Sequence, residues 1–507
     1  MNKTLPKADY VDIMIFAEGT YPYIRGGVSS WIHQIITNLQ QFTFGICFIG
    51  SRPSDYGEVR YELPKNIIHV EVHYMFDDER KVPPAKVRNS PEAIEKVRAL
   101  HDWFKDPSGS FPDALRNLDF YRKEATKNFF MHSENAWEYL NDAYLEHCPD
   151  LPFIDYFWAL RNMHSPIWLL ADIAADLPEC GILHSPSTGY AGFLAALVSH
   201  NRGTPYYLTE HGIYTRERKI DLLGADWITY RKPGLLKQPD EFNYIKQMWI
   251  NFFSRLGEFA YHRADRIFSL FPGAMRIQES FGADPAKLEV IPNGVDVDGL
   301  GKTLERRGEG VPKVITLIGR VVTIKDIKTF IRAMRIVADA MPEAEAWIVG
   351  PLDEDKDYAD ECFKMVESLK LKESVKFLGF RNIMDILPKT GLQTLTSISE
   401  GMPLVILEGF AAGVPCVATD VGSCRDLIEG ALDDEDIAIG PAGAITSIAN
   451  PAQLAAEYLR FLQDETLWKS AQHAALTRVN KYYRQEMFLQ RYTDYYDKVL
   501  DHGRHRV

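Results

Sequence analysis

Cysteine is scarce and scattered in this sequence. Six thiols, at positions 47, 148, 180, 362, 416 and 424 of 507 residues, form no CxxC pair and no Cys/His cluster with zinc-ligand spacing. That usage fits a reduced compartment without structural zinc, and no metal site is expected. No stretch reaches the roughly eighteen consecutive apolar residues of a membrane span. The apolar run that follows MNKTLPKADY is too short for a signal h-region. The expectation is a soluble, cytoplasmic protein. Positive charge is also in deficit, with 57 Lys and Arg against 70 Asp and Glu and a net charge of −13. Phosphate backbones and anionic lipid surfaces both need clustered Lys and Arg, so neither is an expected partner. GxGxxG and Walker A motifs are missing, which weakens dehydrogenase and ATPase readings. Tandem repeats and low-complexity tracts are missing too.

What remains is an ordinary globular composition, 46% hydrophobic and 25% charged, in a chain too long for one core. Two domains of roughly 200–300 residues are expected. Short apolar runs alternate with helical-period segments, the pattern of parallel α/β sheets. VDIMIFA (11–17), FGICFIG and IIHVEVHY read as strands, with a helix from Val28 to Leu39. The alternation stops from about 75 to 178, where aromatic-rich helices such as NAWEYLNDAYLEH suggest an inserted helical subdomain covering a sheet edge. Strands resume at GILHS, PYYLTE, RIFSLF and LEVIP. Residues 296–312, rich in Gly, Asp and charge, read as a linker. Beyond it KVITLIG, AEAWIVG, VKFLGF, LQTLTS, VPCVAT and DIAIG read as strands of a second domain, 313–480. Apolar residues at Ile327, Phe330, Ile331, Met334 and Val337 give the helix after its first strand one buried face. From Pro451 the pattern is all helix, ending in residues 481–507. The fold class expected is α/β, with two facing doubly wound domains, the first spanning 1–295, and ligands held beyond the carboxyl ends of the strands.

Four stretches could carry chemistry. SISEGMPLVILEGF follows a strand and sets Glu400 and Glu408 eight positions apart. Pro403 suits the first position of a helix running from Leu404 to Ala412. Eight helical residues rise about 12 Å, too far for a shared proton and wide for a glycosidase pair. The spacing suits two hydroxyl-bearing parts of one elongated ligand, with free N–H groups near Leu404 and Val405 facing an anion between them. Read blandly, the two are an exposed loop acid and a surface helix residue, and spacing alone leaves that open. LIGRVVTIKDIKTF puts Arg320 at a strand end and Lys325 at the next helix start, a fork and a point charge suited to phosphate. Gly26 and Gly27 join the first strand to the first helix, where glycine lets backbone approach a ligand. In LTEHGIYTRER, His211 follows a strand end.

Together these stretches resemble the retaining glycosyltransferases of family four, which have the GT-B fold. The likeness covers nearly all of the chain outside 75–178. It implies that Glu400 binds hydroxyls of a donor hexose and Glu408 the ribose, with Gly401, Met402, Pro403, Leu404 and Val405 forming the loop and helix start between them. Arg320 and Lys325 match the pair that neutralises the donor diphosphate, and Gly26-Gly27 the loop that closes over it. Phe380 and Arg381, in FLGFRN, match the strand-end loop whose backbone reads the base, and His211 a sugar-facing histidine. IPNGVD matches the segment before the domain crossover, and the last helix is expected to return to the first domain. One departure stands out: many members have Gly after the phosphate lysine, and here it is Asp326. The stretches around Gly26-Gly27 and Arg320-Lys325, EGTYPYIRGGVSSWIHQI and GRVVTIKDIKTFIRAM, and the insertion look closer still to the cytoplasmic glycosyltransferases of bacterial exopolysaccharide assembly, which implies a UDP-sugar donor, a polysaccharide acceptor and a membrane-embedded synthase complex as partner. The expected activity is metal-independent hexosyl transfer with retention, from UDP-glucose or a UDP-N-acetylhexosamine. LDDEDIA reads as a turn rather than a metal-binding DxD. Two other readings stay open: a UDP-sugar epimerase of the same fold, and a non-catalytic nucleotide-binding scaffold.

Overall fold

Unbroken runs of Val, Ile and Phe suit strands buried on both faces, and here they form two parallel sheets. The structure, a computed structural model, describes residues 5–76, 87–106, 109–224 and 244–504. The first compact unit comprises Met1–Ser269, Arg276–Glu289 and Thr493–Val507. Its strands are β1 (Tyr10–Glu18), β2 (Phe44–Gly50), β3 (Ile67–Tyr74), β4 (Glu179–Ser185), β5 (Tyr206–Glu210), β6 (Arg266–Ser269) and β7 (Leu288–Val290). They lie in the order β3-β2-β1-β4-β5-β6-β7. Every residue of β2 is buried, as its unbroken apolar run requires. Strand order reverses between β1 and β4, which opens a crevice at the carboxyl ends of those strands.

Between β3 and β4 the chain forms the helices Pro91–Lys105, Lys127–His132, Glu134–His147 and Phe153–Asp176; stretches 77–86 and 107–108 of the expected insertion lie outside the described residues. Ser90, Thr126 and Ser133 start three of them by accepting the N–H of Ala93, Phe129 and Ala136, caps worth about 1 kcal/mol each. The insertion does not simply cover a sheet edge. Helix Pro91–Lys105 packs on Tyr244–Arg263, and Phe153–Asp176 on Tyr190–Arg202. The reason is complementarity: its aromatic stripes, including Phe104 and Phe130, share one core with Phe16 and Phe252, whereas an edge strand offers mainly backbone. Arg255, fully buried, lies 4.5 Å over the Trp103 ring and donates to the Trp103 carbonyl at 3.1 Å.

The second unit, Leu270–Met275 and Val290–Tyr492, contains β8 (Val314–Ile318), β9 (Glu345–Val349), β10 (Val375–Gly379), β11 (Leu392–Leu395), β12 (Cys416–Thr419) and β13 (Gly443–Thr446). Their order is β10-β9-β8-β11-β12-β13, all parallel, with the reversal between β8 and β11. Helix Ile327–Ala340 buries all five residues of its expected apolar stripe. Three local expectations change. DIAIG is not a strand: helix Asp434–Ala438 covers its start, and the last strand is GAIT. LDDEDIA holds the whole of that short helix rather than a turn. Asp433 accepts the Asp436 N–H at 2.8 Å and begins it, a polar event that apolar periodicity does not register. The expected linker is largely folded, with a helix at Val297–Gly301. Arg307 donates to the carbonyls of Thr390, Leu387 and Ala412, and burial lowers its pKa to about 10. The last helix, Gln485–Arg504, belongs to the first unit from Thr493 onward, where the Tyr496 hydroxyl lies 2.7 Å from His184 Nδ1.

Among the described residues, one ion pair is wholly buried. Arg478 donates to Asp436 Oδ1 at 2.7 Å and to the carbonyls of Ile428, Asp436 and Gly440, and both side chains are fully shielded from solvent. Removing one partner strands a charge in the core, so Arg478→Ala is expected to lower the stability of the second unit by about 3–5 kcal/mol. Urea unfolding reads this directly, and Lys372→Ala, at the exposed Lys372–Glu367 pair, should leave the midpoint unmoved.

Candidate active site

In the second unit two loops leave adjacent strand ends at the β8/β11 reversal. Arg320 stands just beyond β8, and Lys325 closes a short 3₁₀ turn before helix Ile327–Ala340. Glu400 lies in the loop after β11, ahead of helix Leu404–Ala411. Backbone and side chains stitch these loops together. Ile398 N–H donates to the Ile324 carbonyl at 2.9 Å, and the Thr396 hydroxyl to that of Lys325 at 2.8 Å. Lys325 Nζ then meets Glu400 Oε1 at 2.5 Å, and the Ser397 hydroxyl donates to the same oxygen. Gly422 closes in from the next loop at φ +53, where a Cβ would sit 2.3 Å from the Glu400 and Gly401 carbonyls. Its neighbour Ser423 N–H binds the Gly401 carbonyl at 2.9 Å.

The two cations differ in how firmly they are held. Lys325 and Glu400 are 19% and 14% exposed, so their contact is partly shielded from water. Arg320 pairs with Glu354 at 2.8 Å, both about half exposed. A surface pair of that kind is worth about 0–1 kcal/mol, and an arriving anion displaces it cheaply. Asp326 has φ +44, the left-handed region. It also caps the helix, accepting from the Thr329 N–H at 3.3 Å and the Thr329 hydroxyl at 2.6 Å.

Pro403 is the residue before helix Leu404–Ala411 rather than its first residue, with its carbonyl accepting the Ile406 N–H at 3.1 Å. The N–H groups of Leu404 and Val405 have no acceptor among the described residues. Glu408 is half-buried one turn into the helix, with no hydrogen bond or ion pair to its carboxylate among the described residues, and burial raises its pKa. Met402 is buried, and Gly401 is tied to Ser423. Phe380 is 79% exposed directly after β10, beside an exposed Arg381.

The first unit has its own cavity, of about 440 Å³, where its strand order reverses. Glu18, Thr20, Ser187, His211, Tyr214 and Arg218 line it. His211 stands edge-on to Trp31 with ring centroids 4.8 Å apart. Burial holds its pKa down to about 3, and its Nε2 has no hydrogen-bond partner among the described residues. Val28 lines the same cavity beside Gly27. A Cβ on Gly26 or Gly27 would meet nothing within 4 Å, so packing around them does not demand glycine.

Sequence reasoning missed the polar chain opposite His211. Glu18 accepts from the Tyr214 hydroxyl at 2.8 Å and from the Ala191 N–H at 3.1 Å, and Arg218 Nε donates to the Tyr214 oxygen at 3.1 Å. Glu217 adds a second carboxyl to the cavity wall, its pKa raised by burial and by Asp221. The signal was available for Glu18, the last residue of a strand just before a glycine.

Comparison with known proteins adds two matches along the chain. Residues 11–286 match the model of a domain of unknown function, DUF3492, and residues 304–478 match the glycosyl transferases group 1 model. UDP-Gal:alpha-D-GlcNAc-diphosphoundecaprenol alpha-1,3-galactosyltransferase of Escherichia coli is 29% identical over 162 residues, 30% of this chain and 41% of that protein. N-acetyl-alpha-D-glucosaminyl L-malate synthase of Bacillus anthracis is 27% identical over 194 residues, 37% and 46% of the two chains. The chain thus spans less than half the length of these curated relatives. Among solved structures, Alr3699/HepE of Anabaena in complex with UDP superposes with a TM-score of 0.56 at 15% identity, covering 96% of this chain and 100% of that one. Among the described residues, no helix is long and apolar enough to cross a membrane. The chain belongs to the DUF3492 family and has the GT-B fold, its second unit matched by the glycosyl transferases group 1 model.

Proposed function

We propose that the protein is a retaining glycosyltransferase that moves a hexosyl group from a UDP-sugar, UDP-glucose or a UDP-N-acetylhexosamine, to a growing exopolysaccharide. The observation that carries this reading is the Lys325–Glu400 contact ahead of a helix whose Glu408 carboxylate has no partner among the described residues. A nucleoside diphosphate sugar offers each of these groups a better partner. Its phosphate oxygens take Lys325 Nζ and the half-exposed Arg320, and the free N–H groups at Leu404 and Val405 add positive potential. Glu400, released from Lys325, accepts hydroxyls of the hexose, and Glu408 accepts the ribose hydroxyls. As UDP departs, the cations face the charge that develops on it, so this reading asks for no metal. Phe380 and Arg381 flank the base.

Support for the donor comes from relatives. Alr3699/HepE was solved with UDP-glucose, and the name of the Escherichia coli relative specifies UDP-Gal. The finer reading rests on EGTYPYIRGGVSSWIHQI and GRVVTIKDIKTFIRAM, which are similar to PelF, the cytoplasmic glycosyltransferase of Pel exopolysaccharide assembly. It makes Pel the acceptor and a membrane-embedded synthase the partner, with the protein itself cytoplasmic.

Two experiments test the reading. In calorimetric titration, wild-type protein is expected to bind UDP saturably in the presence of a chelator, and Lys325→Ala and Glu408→Ala to weaken it at least tenfold, about 1.4 kcal/mol. Variants that bind as well as wild type would overturn the assignment, and a panel of nucleotide sugars would name the hexose. The second concerns pH. Burial raises the pKa of Glu408 above its ordinary 4.5, so the folded state holds this proton more tightly than the unfolded chain. That contribution to stability is complete below 4.5 and is lost as pH rises through the folded value. Glu408→Gln should therefore gain stability over wild type as pH rises from 4.5 towards neutrality while losing UDP affinity. Parallel stability profiles for the two proteins would show that Glu408 is well solvated.

A further inference from the structure

Linear spacing hides a donor cluster that the first sheet assembles. Cys47 on β2 stands in register with Glu71 on the edge strand β3, and Ile49 with His73. Alternate residues of a strand share a face, so His69, Glu71 and His73 line one side of β3 with Cys47 beside the middle one. One ligand atom from each of Cys47, Glu71 and His73 lies within 4.8 Å of the others. His73 Nε2 is 3.1 Å from Glu71 Oε2, and His69 Nε2 is 3.1 Å from Glu71 Oε1. Ligands bonded at about 2.0–2.3 Å to a tetrahedral ion are roughly 3.3–3.6 Å apart, so side-chain shifts of about 1 Å bring the three atoms into one coordination shell.

His69, with its side chain 4% exposed, holds the carboxylate of Glu71 by its other oxygen. Its Nδ1 accepts from the Ala8 N–H at 3.1 Å, which leaves the ring proton on Nε2, 3.1 Å from Glu71 Oε1. Groups that bind metals are commonly oriented by such outer hydrogen-bond partners.

We propose that Cys47, Glu71 and His73, with water as the fourth ligand, form a tetrahedral site for a divalent ion of the zinc type. Thiolate, carboxylate and imidazole together favour zinc over magnesium or calcium. On binding, the Cys47 thiol loses its proton to solvent as the sulfur–metal bond forms, and two anionic ligands balance the ion's two charges. Lys7, whose exposed ammonium lies 3.2 Å from Glu71 Oε1, swings out to water. The ion ties β3 to β2 two residues before Met75, which lines the cavity of the first unit. The site thus stiffens a wall of that cavity rather than taking part in sugar transfer.

The test uses the full-length chain, stripped with a chelator, kept reduced and titrated with cobalt(II). The expected result is one cobalt per chain, with a thiolate-to-cobalt charge-transfer band in the near ultraviolet that zinc abolishes by competition. Cys47→Ser should lose the band, while Cys180→Ser, which changes the neighbouring thiol, should keep it. His73→Ala, at a partly exposed position where folding tolerates truncation, should weaken binding at least tenfold. No charge-transfer band at saturating cobalt, a band that survives Cys47→Ser, or unchanged affinity in His73→Ala would overturn the proposal.

Discussion

The reversal of strand order between β8 and β11 is the constraint on which the second unit's chemistry depends. Helices that leave these two strands run to opposite sides of the sheet, so their preceding loops diverge and leave a crevice. Lys325 and Glu400 meet across that crevice at 2.5 Å. Without the backbone ties from Ile398 to Ile324 and from Thr396 to Lys325, two long side chains would have to be ordered by their own attraction alone. Gly422 contributes by approaching the Glu400–Gly401 backbone more closely than any Cβ would permit. The pair is preorganised by its scaffold, and little entropy is left to lose when a ligand replaces either partner.

Charge is distributed so that each group can be recruited at a different cost. Arg320 and Glu354 exchange partners with solvent readily because both are half exposed. Lys325 and Glu400 are held more firmly, and Glu408 sits half-buried with no donor of its own. An unpaired carboxylate in such surroundings is unfavourable in the free protein. That cost is consistent with a site built for a ligand carrying hydroxyl donors, since the same group would otherwise be better replaced by an apolar side chain. The first unit follows a different plan. Glu18 is already satisfied by Tyr214 and the Ala191 N–H, which leaves His211 Nε2 and the Thr20 hydroxyl as buried polar atoms of that cavity's wall with no partner among the described residues.

Local features were legible in the sequence. The apolar stripe of helix Ile327–Ala340 and the start of helix Leu404–Ala411 rest on contacts within a few residues, which periodicity and turn chemistry describe well. The parallel architecture followed from the alternation of runs. Contacts between distant strands were not legible. Tyr214 reaches Glu18 from 196 positions away, and Cys47 meets Glu71 only because β2 and β3 pair in one register. DIAIG misled because its apolar residues suit a strand, whereas Asp433 and the buried Arg478–Asp436 pair decide for a helix. Where polar contacts outweigh propensity, a pattern of apolar residues reads the wrong element.

Asp326 shows how a departure from a family pattern can be resolved by energetics. Its backbone lies at φ +44, where a side chain costs roughly 1–2 kcal/mol and glycine costs little. That geometry explains why glycine is frequent after the phosphate lysine. Aspartate is among the few alternatives, because its short side chain tolerates the left-handed region and bonds locally. Here it accepts from both the N–H and the hydroxyl of Thr329, and a helix cap of this kind returns about 1 kcal/mol. The two terms nearly cancel, so the substitution leaves the turn intact. Its carboxylate is turned into the helix start, and Lys325 extends the other way to Glu400. An acid next to the lysine therefore neither strains the loop nor competes for its charge.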